Sequence, residues 1–198
     1  CSVHQGPGFT NAMTGLTEAA KSRTPLLVLA GEAPAAALRS NFRLDQATLA
    51  TTVGGAAERV HSGASAADDV ARAFRRAQLE RCPVLLSMPL DVQAQPASDS
   101  TPAPAPLPAP PAPSPAAIAE VASLIAAAQR PVIIAGRGAV LADARAPLEA
   151  LGDAIGAMLA TSAMGNGLFS GSRWNLGISG GFASPAAAHG IGGRSDLP

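Results

Sequence analysis

Cysteine, aromatic residues and lysine are scarce in this chain of 198 residues, and each scarcity narrows the class of protein. The two cysteines, Cys1 and Cys82, have no C-x-x-C spacing and no second pair. They therefore indicate neither a disulfide framework nor a zinc site, and they favour a reducing compartment. Aromatic residues make up 3% of the chain, and Lys21 is its only lysine. No apolar run approaches the roughly 20 residues that cross a bilayer, so we expect no membrane segment.

An excess of charge of either sign is also missing. The 14 basic residues balance the 14 acidic ones, giving a formal net charge of +0. A neutral chain has no overall field that attracts polyanions, so we do not expect nucleic acid as a partner. The start at Cys1 lacks the charged and then apolar pattern of a signal peptide. We therefore expect a cytoplasmic protein, with further chain beyond both ends of this sequence.

Proline, in contrast, is abundant and concentrated in one segment. Nine of the 20 residues from Pro96 to Pro115 are proline. Proline fixes φ and lacks a backbone N–H, so this segment is predicted to be an extended connector without helix or strand. A ligand for a proline-binding module is the alternative interpretation. The connector, 93–115, divides the chain into lobes 1–92 and 116–198.

Both lobes alternate apolar strands with helical patterns. That order is typical of the α/β class, in which a parallel sheet carries helices on both faces. We expect two such lobes, both incomplete. The predicted strands lie near Val3 and over 25–30, 83–88, 131–135 and 157–161, and the predicted helices cover 10–22, 65–81, 114–128 and 142–151.

The best-defined helical pattern runs from Ser65 to Arg81. Ser65 is predicted to cap it, and acidic residues in its first turn complement the helix dipole. Arg72, Arg75 and Arg76 are interpreted as a solvated face. The predicted buried stripe consists of Ala66, Val70, Ala73, Phe74 and Ala77.

The strongest candidate for a ligand site is the turn Gly6-Pro7-Gly8, between a strand and a helix. Open α/β folds bind ligands at the carboxyl edge of the sheet, where such turns lie. The N–H groups of Phe9, Thr10 and Asn11 would face a ligand there, as in a phosphate cradle. A tight turn that needs glycine for its dihedral angles explains the pattern as well. The residues alone leave both interpretations open.

Other candidates are weaker. Gly136-Arg137-Gly138 is half of a dinucleotide fingerprint, because Leu141 stands where the third glycine belongs. Asp45 and Gln46 are polar contacts of a ligand or simply the start of a helix. The three histidines, His4, His61 and His189, are far apart, so we expect no metal site.

Four stretches, taken in order, resemble the acetolactate synthase group of thiamine-diphosphate enzymes. They are the turn and helix start at 6–11, the apolar strand at 24–31, the strand and exit at 83–92, and the strand with its glycine turn at 131–138. The resemblance implies that the first lobe is the second half of a pyrimidine-binding domain. The second lobe is then the first part of the central domain, which binds FAD in some members.

The resemblance also implies residue roles. Pro7, Gly8 and Asn11 correspond to residues beside the thiamine ring, and Glu32, where acetolactate synthases usually have glutamine, belongs with this cofactor-binding group. The glutamate that activates the cofactor and the domain that holds diphosphate and Mg²⁺ are expected outside this sequence, so no catalytic or metal-binding residue is assigned. A substrate or cofactor loop would include Phe42, Asp45 and Gln46, and an FAD site would include Gly136, Arg137 and Gly138.

The sequence thus predicts a piece of a thiamine-diphosphate-dependent carboligase or decarboxylase that acts on small 2-oxo acids. The whole enzyme would use thiamine diphosphate and Mg²⁺, with FAD as an option, and would be a homodimer or homotetramer. The isolated chain is expected to be inactive. Two alternatives stay open: a non-catalytic α/β nucleotide-binding module and an inactive truncated gene product.

Overall fold

The structure is a computed structural model that describes residues 1–99, 102 and 105–192. The chain forms two compact units, Cys1–Pro110 and Pro111–Pro198. None of the helices in the described part of the chain has the length and apolarity needed to span a bilayer.

The first unit contains a four-stranded parallel sheet. Its strand order is β1-β2-β4-β3, and Leu26 pairs with Pro83 at the start of the central β2–β4 ladder. The continuous apolar runs in β2 and β4 reflect burial on both faces. The elements are β1 (Ser2–Val3), α1 (Pro7–Asn11), α2 (Met13–Lys21), β2 (Leu26–Glu32), α3 (Gln46–Thr52), β3 (Ala56–Arg59), α4 (Ala66–Glu80), β4 (Pro83–Pro89) and α5 (Leu90–Gln93).

Helices cover both faces of this sheet. On one face, Val28 and Leu85 pack with Phe9 of α1 and Leu16 of α2. On the other face, side chains of β4 pack against Ala73 and Ala77 of α4. The α/β class with a parallel sheet is therefore confirmed for this unit.

The second unit has a three-stranded parallel sheet of order β5-β6-β7. Its first helix begins as predicted, because the Ser114 hydroxyl accepts a hydrogen bond from the N–H of Ala117 at 3.2 Å. The elements are α6 (Pro115–Ala127), β5 (Val132–Ala135), α7 (Arg137–Leu141), α8 (Arg145–Ile155), β6 (Met158–Thr161), a 3₁₀ turn (Ala163–Gly165), β7 (Asn175–Ile178), α9 (Pro185–Ala187) and a final π-helical turn (Ala188–Gly192).

Two predicted helices have different bounds. The helix predicted over 10–22 is two helices, α1 and α2, which meet at Ala12. The helix predicted over 142–151 begins only at Arg145, because Asp143 adopts a left-handed conformation with φ 48° and separates α7 from α8.

Within α4 the predicted cap and buried stripe are partly wrong. The Ser65 side chain makes no capping bond, because its hydroxyl donates instead to the Asp69 carboxylate at 2.9 Å. Val70 and Phe74 are 39% and 46% exposed rather than buried. The residues of α4 that are buried are Asp69, Ala73 and Ala77.

Apart from Gln93, which ends α5, the described residues of the proline-rich connector form no helix or strand before Pro115. Its residues 100, 101, 103 and 104 lie outside the described part of the chain. The two compact units divide at Pro110, inside the predicted connector. The sequence-based boundaries at 92 and 115 stay predictions.

Candidate functional site

The turn Gly6-Pro7-Gly8 lies at the carboxyl edge of the first sheet, between β1 and α1. Gly6 has φ +62°, a region that side chains rarely adopt, and a Cβ there would lie 3.2 Å from the carbonyl oxygen of Phe42. A Cβ on Gly8 would lie 2.8 Å from the Cβ of His4. Both positions therefore require glycine, which the turn interpretation explains without a ligand.

The outer side of this turn carries Pro7 and Asn11, which are both exposed. Asn11 ends α1, so it does not lie at a helix N-terminus as the sequence suggested, and within the described residues its side chain has no hydrogen-bond partner. The N–H of Thr10 is not free for a ligand, because it donates to the carbonyl of Gly6 at 3.0 Å. The exposed amide of Asn11 is a polar group that is available to a ligand here.

Gln46 fixes the turn from behind. Its Oε1 accepts from the N–H of Gly6 at 3.1 Å, and its Nε2 donates to the carbonyl of Gly31 at 3.0 Å. The Gln46 residue is only 3% exposed, so it is a buried brace rather than a direct ligand contact. One side chain thus joins the glycine turn to the end of β2.

Asp45 is the N-cap of α3, in agreement with the interpretation of this residue as the start of a helix. Its carboxylate accepts from the Thr48 N–H at 2.9 Å and from the Thr48 hydroxyl at 2.7 Å. The backbone bond and then the hydroxyl bond lower the pKa of Asp45 below its usual value. Both bonds come from Thr48, as is typical of a residue that caps the N-terminus of a helix.

A polar cavity of about 380 Å³, here called the edge pocket, opens beside these residues. It brings together four of the predicted residues and adds two arginines that the sequence analysis did not single out. Oε2 of Glu32 is buried in its wall and lies 3.4 Å from Nε of Arg59. The residues of the edge pocket used below are Glu32, Phe42, Arg43, Asp45, Gln46 and Arg59.

The edge pocket is tied to the glycine turn through Phe42. The Phe42 ring meets the His4 ring edge to face, with centroids 5.2 Å apart, and its backbone borders Gly6. The pocket carries two carboxylates and two guanidinium groups, so it can accept a small ligand that bears charges of both signs. Arg59 was missed because β3, with the sequence Ala-Ala-Glu-Arg, lacks the apolar run that marks a buried strand.

Gly136-Arg137-Gly138 lies in the second unit, where Gly136 precedes α7 directly after β5. A Cβ on Gly138 would meet nothing within 4 Å, so no close approach requires glycine at that position. Within the described residues there is also no group of three or more His, Cys, Asp or Glu that could hold a metal ion.

Two family models match the chain. The model described as "Thiamine pyrophosphate enzyme, N-terminal TPP binding domain" matches residues 1–52, and "Thiamine pyrophosphate enzyme, central domain" matches residues 118–197. The chain belongs to the thiamine-diphosphate-dependent enzymes. Within that family it falls in the acetolactate synthase group, as its residues suggested.

Curated relatives agree with this membership. A probable 2-ketoarginine decarboxylase of Pseudomonas aeruginosa is 35% identical over 85% of this chain and 31% of its own length. The acetolactate synthase large subunit of Parasynechococcus marenigrum is 30% identical over 85% of this chain and 29% of its own. Glyoxylate carboligase of Escherichia coli O157:H7 is 32% identical over 75% of this chain and 26% of its own. The matched part of the chain thus spans between 26% and 31% of the length of these relatives.

Proposed function

We propose that the first unit supplies the pyrimidine side of a thiamine diphosphate site in an enzyme that decarboxylates or ligates 2-oxo acids. The observation that carries this proposal is the glycine turn held at the sheet edge by Gln46, with Pro7 and Asn11 exposed beside it. Pro7 offers an apolar surface to a flat ring, and the Asn11 amide can both donate to and accept from a heterocycle.

These residues fit the cofactor in a supporting role. Bound thiamine diphosphate supplies the electron sink for decarboxylation, and the protein supplies position and exclusion of water. Gln46 fixes the backbone of Gly6, and Phe42 and His4 close the side of the turn. No described residue is assigned to Mg²⁺, and nothing in the geometry of Gly138 favours FAD, so neither is proposed for this chain alone.

The edge pocket favours one substrate class among those that the relatives' names suggest. A 2-oxo acid with a cationic side chain carries a carboxylate and a positive charge, which would compete with the ion pair between Glu32 and Arg59 and face the exposed Arg43 and Asp45 of the pocket. This second candidate, decarboxylation of such an acid, agrees with the name of the 2-ketoarginine relative. A small acid such as glyoxylate or pyruvate has no positive charge, so its carboligation would leave the two carboxylates of the edge pocket without a role.

An NMR titration of the chain with millimolar thiamine diphosphate tests the cofactor assignment. We expect shifts of the Gly8 and Asn11 amides, and we expect Asn11→Ala to reduce them without lowering the melting temperature. Asn166→Ala, an exposed asparagine in the second unit, is the matched control and leaves the titration unchanged. Shifts that persist in Asn11→Ala, or that are absent near the turn of the unmodified chain, contradict the proposal.

A further inference from the structure

The outer face of α4 is apolar and only partly covered. Val70 and Phe74 point away from the sheet and are 39% and 46% exposed, whereas the opposite side of the same helix packs on β4. A cavity of about 660 Å³ lies along this outer face. Its walls include Ala67, Val70, Ala71 and Phe74 from the helix and Pro102 and Ala105 from the connector.

Arg75 joins the two walls. Its Nη1 donates to the carbonyl oxygen of Ala105 at 3.2 Å and to that of Pro106 at 3.0 Å. A proline-rich strand has carbonyl acceptors but few N–H donors, so a surface that binds it must supply donors from side chains. Arg75 does so from the middle of α4.

The side chains of the neighbouring arginines, Arg72 and Arg76, bond to carboxylates. Arg72 donates to Glu58 and Asp69, and Arg76 donates to Glu58 and Glu80. Arg75 differs from both because its donors go to backbone carbonyls rather than to carboxylates. The three arginines lie on a partly exposed face of α4, and Arg75 is the one that bonds to the connector.

We propose that the outer face of α4 is a binding surface for a polyproline-type segment, and that its occupant is the connector of this same chain. An aromatic ring, small side chains that leave a groove, and a side-chain donor are what extended proline-rich ligands require. Phe74 with Val70, the alanines and Arg75 provide these three elements. The residues involved take no part in the cofactor site, so this inference stands independently of the proposed function.

The connector is the favoured occupant for two reasons. Its residues up to Pro110 belong to the same compact unit as α4, and two of its carbonyls already accept from Arg75. A polyproline segment is also stiff before it binds, so it loses little conformational entropy on docking.

The test uses the full chain with residues 97–113 replaced by glycine and serine of equal length. A labelled peptide of sequence 102–113 is added, and binding is measured by fluorescence anisotropy. We expect saturable binding to the replaced chain and at least about tenfold weaker binding to the unmodified chain, where the connector competes at a high effective concentration. Phe74→Ala and Arg75→Ala, each made in the replaced chain, are expected to weaken binding about tenfold.

Lys21→Ala removes one positive charge from another exposed helix of the same unit and is expected to leave peptide binding unchanged. Circular dichroism checks that each variant is folded. If Phe74→Ala is unfolded, the binding measured with Arg75→Ala alone tests the proposal. Absent binding to the replaced chain overturns the proposal, as does equal binding to the replaced and unmodified chains. Sedimentation that shows the replaced chain dimerising through Phe74 overturns it in favour of a second copy as occupant.

Discussion

The Gln46 side chain stabilises the candidate site through hydrogen bonds to two backbone groups. The N–H of Gly6 belongs to the turn before α1, and the carbonyl of Gly31 belongs to the end of β2. The positions of the glycine turn and of the end of β2 are therefore coupled through a single carboxamide. This makes the Gln46 side chain the internal support of the candidate site.

Replacing Gln46 with leucine removes the side-chain bonds to both backbone groups, of which the bond to Gly6 is buried. We expect the free energy of unfolding to fall by about 2–4 kcal/mol, measured by urea denaturation. Gln93→Leu is the control, because that exposed side chain makes one bond, to the carbonyl of Met88, and should cost less than about 1 kcal/mol. Equal losses of unfolding free energy in Gln46→Leu and Gln93→Leu would contradict the supporting role of Gln46.

Asp69 is a buried carboxylate with four donors around it. Burial alone would raise its pKa, but bonds from the His61 N–H, Arg72, Ser65 and the His61 ring lower the pKa of Asp69 to about 2. Because the folded pKa lies below the ordinary value near 4, the ionised group stabilises the fold above about pH 4. This stabilisation, about 2 kcal/mol, is lost as the pH falls from about 4 to about 2.

Urea denaturation between pH 2 and pH 7 measures this contribution. The unmodified chain should lose stability steeply below about pH 4, and Asp69→Asn, less stable at neutral pH, should show a flatter profile. Asp91→Asn, an exposed carboxylate on α5, should keep the steep profile. Parallel profiles for the unmodified chain and Asp69→Asn would assign the acid sensitivity to other groups.

At the scale of elements, α6 is a helix of 13 residues of which none is buried. Its apolar side chains Ile118, Val121 and Leu124 are more than half exposed. A helix of this length is marginal in water when it depends on propensity alone. The Ser114 cap and Pro115 in the first turn are therefore its main local supports.

Ser114→Ala should destabilise α6 locally by about 1 kcal/mol and leave the melting temperature of the chain unchanged. Carbon chemical shifts of residues 115–127 report the loss of helix. Ser123→Ala removes a serine from the middle of the same helix, where its hydroxyl bonds only to the carbonyl of Ala119, and should not reduce helix content. A lowered melting temperature in Ser114→Ala would show that α6 supports the core.

The elements also show which parts of the fold the sequence predicts. β2, β4 and β5 are apolar runs, and each was predicted because burial on two faces leaves that pattern. β3 and β7 were missed, since one carries Glu58 and Arg59 and the other carries Gly177 with φ +82°. Local pattern does not reveal β3, because its two charged residues pair with side chains of α4 and β2 that are distant in the sequence.

The same reasoning explains the errors on α4 and the partial success at the site. Asp69 is buried with bonds from His61 and Arg72, whereas Val70 and Phe74 of the same helix are partly exposed. Sequence spacing cannot show those partners. Four of the six named residues of the edge pocket were predicted, but Arg43 and Arg59 were not. Gln46 bonds to residues 40 and 15 positions away in the sequence, so its role as a brace could be seen only in the fold.

At the scale of the whole molecule, the edge pocket offers no carboxylate that is free to activate a cofactor. Glu32 pairs with Arg59, and Asp45 caps α3. We expect no pyruvate consumption by the 198-residue chain above a buffer blank when thiamine diphosphate and Mg²⁺ are present. An intact enzyme of the acetolactate synthase group serves as the positive control. Turnover that Glu32→Gln abolishes would instead place an activating carboxylate in this chain.

The pairing of β2 with β4 has a consequence for the order of events during synthesis. The ladder between β2 and β4 cannot form until Pro83, the partner of Leu26, has been synthesised. About 57 further residues are added after Leu26 before that point, which takes roughly 3–11 s at typical translation rates. During that interval the apolar run of β2 has no central partner. Long-range parallel pairing of this kind also slows folding from the denatured state. We therefore expect chaperones that shield apolar segments to bind the nascent first unit until β4 has been synthesised.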